Sequence, residues 1–108
     1  DTCLFVYTTK EWASIAEKLA TTSMGSKDAR DLNRFFLSGA IEIDVDTAGR
    51  ILIPDYLKDF AKLKDKIIFA GLYKRAEIWN ETEWEKKQKE VSAKADDVAS
   101  KLQEIGMI

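Results

Sequence analysis

Residues 45–57 read "VDTAGRILIPDYL". Before them, Ile41, Ile43 and Val45 alternate with Glu42, Asp44 and Asp46, the period of a half-buried strand. Asp46-Thr47-Ala48-Gly49 supplies turn residues, with Gly49 free to adopt a positive φ, and "RILI" resumes an extended apolar pattern. The stretch therefore predicts a hairpin. Pro54 suits the first turn of a short helix, "PDYLKDFA", because its missing N–H has no helical partner there. "KIIFAG" and "RAEIW" follow as two more strands around a turn at Gly71, so the unit reads β-β-α-β-β.

Working outward, "LFVYTTKEW" (Leu4–Trp12) and "AEIWNETEW" (Ala76–Trp84) align at an offset of 72 residues. Val6 matches Ile78, Tyr7 matches Trp79, Glu11 matches Glu83 and Trp12 matches Trp84. Each copy is a short strand ending in an aromatic, then a capping residue, Thr8 or Asn80, with Glu three positions on. A strand-to-helix junction thus occurs twice. The same offset places the counterpart of Arg50 at 50 − 72 = −22, ahead of Asp1. The expectation is that the chain begins inside its first repeat.

Between the copies, Thr9 to about Thr21 predicts a helix with Trp12, Ile15, Ala16 and Leu19 on one face. "TTSMGS" reads as a loop, and Ser26 can cap a second helix running to about Ser38. Leu32, Phe35, Phe36 and Ala40 form its apolar side, and Gly39 suits its end. After Asn80 a long final helix is expected, with Trp84, Val91, Ala95, Val98, Leu102 and Ile105 in a heptad-like seam that packs within the chain or on a subunit.

Composition narrows the function. The 108 residues suffice for one core, and 45% apolar with 33% charged residues describe a globular domain. The apolar runs fall far short of the ~20 residues of a membrane span, so a cytoplasmic protein is expected. With no histidine and Cys3 as the single cysteine, intrachain disulfides, the usual zinc sites and imidazole catalysis are closed. Cys3 reads as a small apolar residue. The net charge is −2, yet Thr47 to Arg75 is locally positive: Arg50, Lys58, Lys62, Lys64, Lys66, Lys74 and Arg75 against Asp55, Asp59 and Asp65.

Two carboxylates, Asp44 and Asp46, share a strand face, a spacing that can serve acid–base work or a divalent ion but reads first as a polar face beside a turn. No nucleophile with a base, phosphate-cradling loop or cofactor fingerprint accompanies them. Asp46 and Arg50 stand at the two ends of the turn. As an ion pair they fasten it; as a forked donor, Arg50 also matches phosphate oxygens or the O6/N7 edge of guanine. Lys74 and Arg75 are either solvated residues at a strand turn or phosphate contacts.

The set "DVDTAGRILIPDYL", "KDKIIFAGLYKRAEIWNETEW", "CLFVYTTKEW" and "ARDLNRFFLSGA" resembles the MraZ family, in which two copies of a SpoVT/AbrB-like unit each carry a D-x-x-x-R motif. The resemblance covers nearly the whole chain. It implies an α+β fold: a swapped-hairpin β-barrel unit (β-β-α-β-β), preceded by a helical hairpin and followed by the long C-terminal helix. The divisions expected are 1–22 for the end of the first repeat, 23–38 for a connecting helix, 39–84 for the second repeat and 85–108 for the final helix. The first D-x-x-x-R hairpin is missing from this sequence.

What the resemblance implies for function is a sequence-specific transcriptional regulator that binds promoter repeats upstream of the bacterial division and cell-wall gene cluster. It would be cytoplasmic, nucleoid-associated and assembled as a ring-like homo-oligomer. Motif residues Asp46, Gly49 and Arg50 carry over, with Lys74 and Arg75 as further DNA contacts. Double-stranded DNA and further copies of the chain are the expected partners; no cofactor, metal, small-molecule ligand, membrane or enzymatic activity is implied. The competing readings are an interaction or assembly module without DNA specificity, built on the final helix, and an antitoxin of the AbrB-like class, which lacks the duplication.

Overall fold

The computed structural model describes residues 2–21 and 25–106, and its centre is a three-stranded antiparallel sheet. In chain order the described elements are β1 (Leu4–Val6), α1 (Thr9–Thr21), α2 (Lys27–Gly39), α3 (Asp55–Ala61), β2 (Ile67–Gly71), β3 (Ala76–Asn80), α4 (Glu81–Ala93) and α5 (Ala95–Glu104). The chain is thus mixed α plus β. The expected loop over "TTSMGS" lies partly outside the described residues.

β3 occupies the middle of the sheet, between β1 and β2. Its register with β1 pairs Leu4 with Ile78, Phe5 with Glu77 and Val6 with Ala76. Adding the 72-residue offset to each β1 residue exchanges the outer two pairs and leaves Phe5–Glu77 on itself, since 5 + 72 = 77. The two copies of the strand therefore meet about a local pseudo-twofold. Both junctions that follow are capped alike: the Glu11 N–H donates to Thr8 Oγ1 at 3.1 Å, and the Glu83 N–H to Asn80 Oδ1 at 3.1 Å. Asn80 also donates its Nδ2–H to the Lys62 carbonyl at 2.6 Å, tying the end of α3 to the start of α4.

The core is small. Leu4, Ala61 and Ile78 are buried together, with Val6, Ile53, Leu57 and Leu63 packed around them. Cys3 is buried beside β1, and burial pushes its thiol pKa up, helped by the Glu77 charge. α1 turns the expected Trp12, Ile15, Ala16 and Leu19 inward to half-burial. α2 departs from expectation: Asn33 is its buried residue, whereas Leu32, Phe35 and Ala40 of the expected apolar side are exposed. Its aromatics pack on other rings instead, Phe36 stacking on Phe5 at 6.4 Å and Phe35 meeting Phe60 at 5.7 Å.

Three expectations are corrected. The long final helix is two helices that change at Lys94, whose φ of −112° and ψ of 16° leave helical geometry. The seam residues Val91, Val98 and Ile105 are exposed. Residues 40–46 and 50–54 carry no strand ladder, and Ile41, Ile43 and Val45 are exposed rather than half-buried. An isolated two-stranded hairpin is marginal in water, so its alternating pattern needs a third strand or another surface before a ladder forms. Ile41, Ile43, Ile51 and Ile53 instead line an open apolar groove of about 1150 Å³ with Phe35, Phe36, Leu57 and Phe60.

The turn between β2 and β3 is the third correction. Gly71 is the last residue of β2, and the positive φ falls on Tyr73, at 68°. The Lys74 N–H donates to the Leu72 carbonyl at 2.9 Å, a three-residue turn, and the Leu72 N–H to the Arg75 carbonyl at 2.7 Å. A bulky side chain at positive φ is strained by about 1–2 kcal/mol. Tyr73 is also fully exposed. Tyr73→Gly, which relieves the strain but loosens the unfolded chain, should therefore raise stability by up to ~1 kcal/mol, seen as a higher midpoint in urea denaturation.

Candidate nucleic-acid interface

The segment between α2 and α3 is an arm held at both ends. At its base the Tyr56 hydroxyl donates to the Gly39 carbonyl at 3.1 Å, across 17 residues of sequence. At its tip, Asp46 organises the turn through one carboxylate. Its Oδ1 accepts from the Ala48 N–H at 2.9 Å and the Arg50 N–H at 2.8 Å, and its Oδ2 accepts from Arg50 Nε at 3.1 Å. The backbone closes with the Asp46 N–H donating to the Arg50 carbonyl at 2.9 Å and the Gly49 N–H to the Asp46 carbonyl at 3.0 Å. Gly49 takes a φ of 81°, and no atom lies within 4 Å of where a Cβ would stand, so glycine is required for conformation and not for space.

Arg50 is thereby both fastener and free end. The ion pair uses Nε, while the side chain remains 79% exposed, and its Nη groups, with four of the five guanidinium N–H donors, make no hydrogen bond among the described residues. A forked cation is thus aimed outward from a rigid turn.

The Asp46 carboxyl is held below its ordinary value by the Arg50 backbone N–H first, with the Ala48 N–H and the Arg50 side chain adding to it, against an opposing desolvation effect that is second in size. The sign is that of a depressed carboxyl: the turn is fully favoured above the unfolded value near 3.8 and loses that support as pH falls through the lower folded value. NMR titration should show the Asp46 carboxyl protonating below the ordinary aspartate value of 3.8, with the Arg50 Nε–H resonance shifting in the same step. An Asp46 carboxyl that titrates at the ordinary value would contradict the pairing.

Lys74 and Arg75 separate in role. Lys74, on the β2–β3 turn, makes no ion pair among the described residues. Arg75 is committed: its Nε and Nη2 donate to Glu77 Oε2 at 3.2 and 3.1 Å, and its guanidinium lies 4.9 Å from the Phe5 ring centre. Glu77 is buried, and its Oε1 accepts from Trp79 Nε1 at 3.0 Å. Sequence reasoning missed this network, although the strand period places residues 75, 77 and 79 on one face. Asp44 and Asp46 do not form a metal site, and among the described residues no group of three or more His, Cys, Asp or Glu does.

A family model described as "MraZ protein, putative antitoxin-like" matches residues 36–104, the span from the end of α2 through the arm to the end of α5. The chain belongs to the MraZ family. It is 46% identical over 102 residues to a protein from Caldanaerobacter subterraneus subsp. tengcongensis, covering 94% of this chain and 71% of that relative. It is 43% identical over 107 residues to one from Caldicellulosiruptor saccharolyticus, and 42% over 107 residues to one from Alkaliphilus oremlandii. Each of those matches covers 99% of this chain and 75% of the relative. All three MraZ relatives are named "Transcriptional regulator MraZ", a name that denotes a regulator and not an enzyme class. No helix among the described residues is long and apolar enough to cross a membrane.

Proposed function

We propose that this chain is a sequence-specific, DNA-binding transcriptional regulator that reads promoter repeats upstream of the division and cell-wall gene cluster with Arg50. The observation that carries this reading is the outward guanidinium of Arg50, held at Nε by Asp46 on a turn that Gly49 makes possible. Arginine presenting two parallel N–H groups is the commonest side-chain reader of guanine in the major groove. The MraZ relatives, all named as regulators, support the class of function.

In this reading the protein works in the cytoplasm at the nucleoid. The arm completes a swapped-hairpin barrel of the SpoVT/AbrB type with a second repeat, which would supply the ladder partner that residues 40–46 and 50–54 lack. A ring-like homo-oligomer sets several arms against several repeats, so the effective concentration of each arm rises once one is bound. Fluorescence anisotropy with the full-length protein tests it. A labelled fragment from upstream of the cluster should bind at least tenfold more tightly than a scrambled duplex at one salt concentration. Equal affinities would refute the reading.

The exposed apolar seam of Val91, Val98 and Ile105 favours a second reading, an interaction module whose final helices recognise another protein chain. Light scattering with and without DNA separates the two. An assembly that forms normally and ignores every cluster fragment supports the module.

A further inference from the structure

The turn at Tyr73 is strained, and the two backbone hydrogen bonds that close it leave its side chain in solvent. Its backbone adopts a φ of 68°, where a glycine or asparagine is ordinarily found, and its ring touches no core, since the residue is fully exposed. Backbone strain of this kind concentrates where a side chain is held out for a function. The neighbouring residues define the chemistry. Lys74 on the same turn makes no ion pair among the described residues, while Arg75 is bound to Glu77 and to the Phe5 ring. The exposed tip therefore offers one hydroxyl and one ammonium, and both are ordinary ligands of phosphate oxygens.

We propose that the β2–β3 turn is a second DNA contact of this chain, in which the Tyr73 hydroxyl and the Lys74 ammonium hold backbone phosphates while Arg75 is withheld for the fold. The inference rests on the DNA-binding reading of the arm and adds a sequence-independent grip to its sequence-specific one. A contact to phosphates needs no particular base sequence, so it can be measured on any duplex.

The test uses the full-length protein and a labelled random-sequence duplex of about 30 base pairs, titrated from 50 to 200 mM salt, with light scattering of every variant alongside. Lys74→Ala should lower the slope of log affinity against log salt by about 0.9 for each chain in contact. Tyr73→Phe should weaken binding about two- to tenfold without changing the slope. Tyr73→Gly should weaken it as well while raising thermal stability, a combination that damage to the fold does not produce. Arg50→Ala, measured on cluster and random duplexes, reports separately on the arm.

Unchanged affinity and slope in the tip variants, with Arg50→Ala still abolishing discrimination, overturns the proposal alone. Unchanged affinity with an altered oligomeric mass in Tyr73→Gly overturns it in favour of a contact between copies. Absence of wild-type binding to either duplex overturns the DNA-binding reading together with this inference.

Discussion

Arg50→Ala removes discrimination between a cluster fragment and a scrambled duplex, by about ten- to hundredfold per arm, while the protein stays folded. The magnitude follows from the ~1–3 kcal/mol of discrimination carried by one bidentate arginine–guanine contact, and the factors multiply when several arms hold one fragment. The fold survives because the turn does not depend on the guanidinium. Asp46 still accepts from the backbone N–H groups of residues 48 and 50, and the exposed ion pair that is lost contributes ~1 kcal/mol or less. Arg50→Lys sharpens the result. It keeps the charge, and with it most non-specific affinity, but lacks the planar fork and the Nε–H that Asp46 positions, so discrimination should remain lost. Full recovery by lysine would make Arg50 a simple phosphate contact, and unaltered discrimination in the alanine variant would remove it from the interface.

Glu77→Ala should have the largest effect on stability, about 3 kcal/mol, or roughly 10–20 °C in melting temperature for a domain of this size. The carboxylate is buried in the central strand, where it accepts from Arg75 on one oxygen and from Trp79 on the other. Its removal leaves the buried indole N–H without an acceptor and frees the guanidinium from its counter-charge. The core around Leu4, Ala61 and Ile78 is too small to absorb such a loss easily. Arg75→Ala should be milder, about 1–2 kcal/mol, because that side chain is partly exposed and water can take over part of its role. Arg75→Ala should also leave the salt dependence of DNA binding unchanged. A stable Arg75→Ala protein with a salt slope lower by about one would instead place Arg75 on the phosphates.

The elements readable in the sequence are those specified by neighbours along the chain. Thr8, Ser26 and Asn80 each cap the helix they precede, because a side-chain oxygen three residues from an unsatisfied N–H needs no tertiary context. Gly49 and Asp46 form their turn for the same local reason. The arm's missing ladder could not be read, because alternation at Ile41, Ile43 and Val45 reports an apolar face and says nothing about whether a partner strand is at hand. The break at Lys94 escaped notice because no glycine or proline marks it. Asp96 and Asp97, acidic residues suited to the first turn of a new helix, were its one local sign. The turn at Tyr73 was misplaced onto Gly71 because glycine is the usual bearer of a positive φ, and here it is not.

The candidate site divides along the same line. The Asp46–Arg50 pairing is local and was visible as a spacing, with its two possible roles left open; the structure shows one atom of the guanidinium fastening and the others without a hydrogen bond among the described residues. Arg75 and Lys74 look interchangeable as sequence, and only the folded sheet distinguishes them, by bringing Glu77 and Phe5 to Arg75 and no ion-pair partner among the described residues to Lys74.

The arm closed at its base by Tyr56 and Gly39, and at its tip by Asp46 and Arg50, has no ladder along the stretch between. It is a fastened head on an unladdered neck. The head keeps its donors in one arrangement, so little ordering is left to be done when it meets a base edge. The neck, having no ladder of its own, keeps its backbone donors and acceptors available to a partner strand, so in the proposed assembly one segment both joins the copies and carries the head.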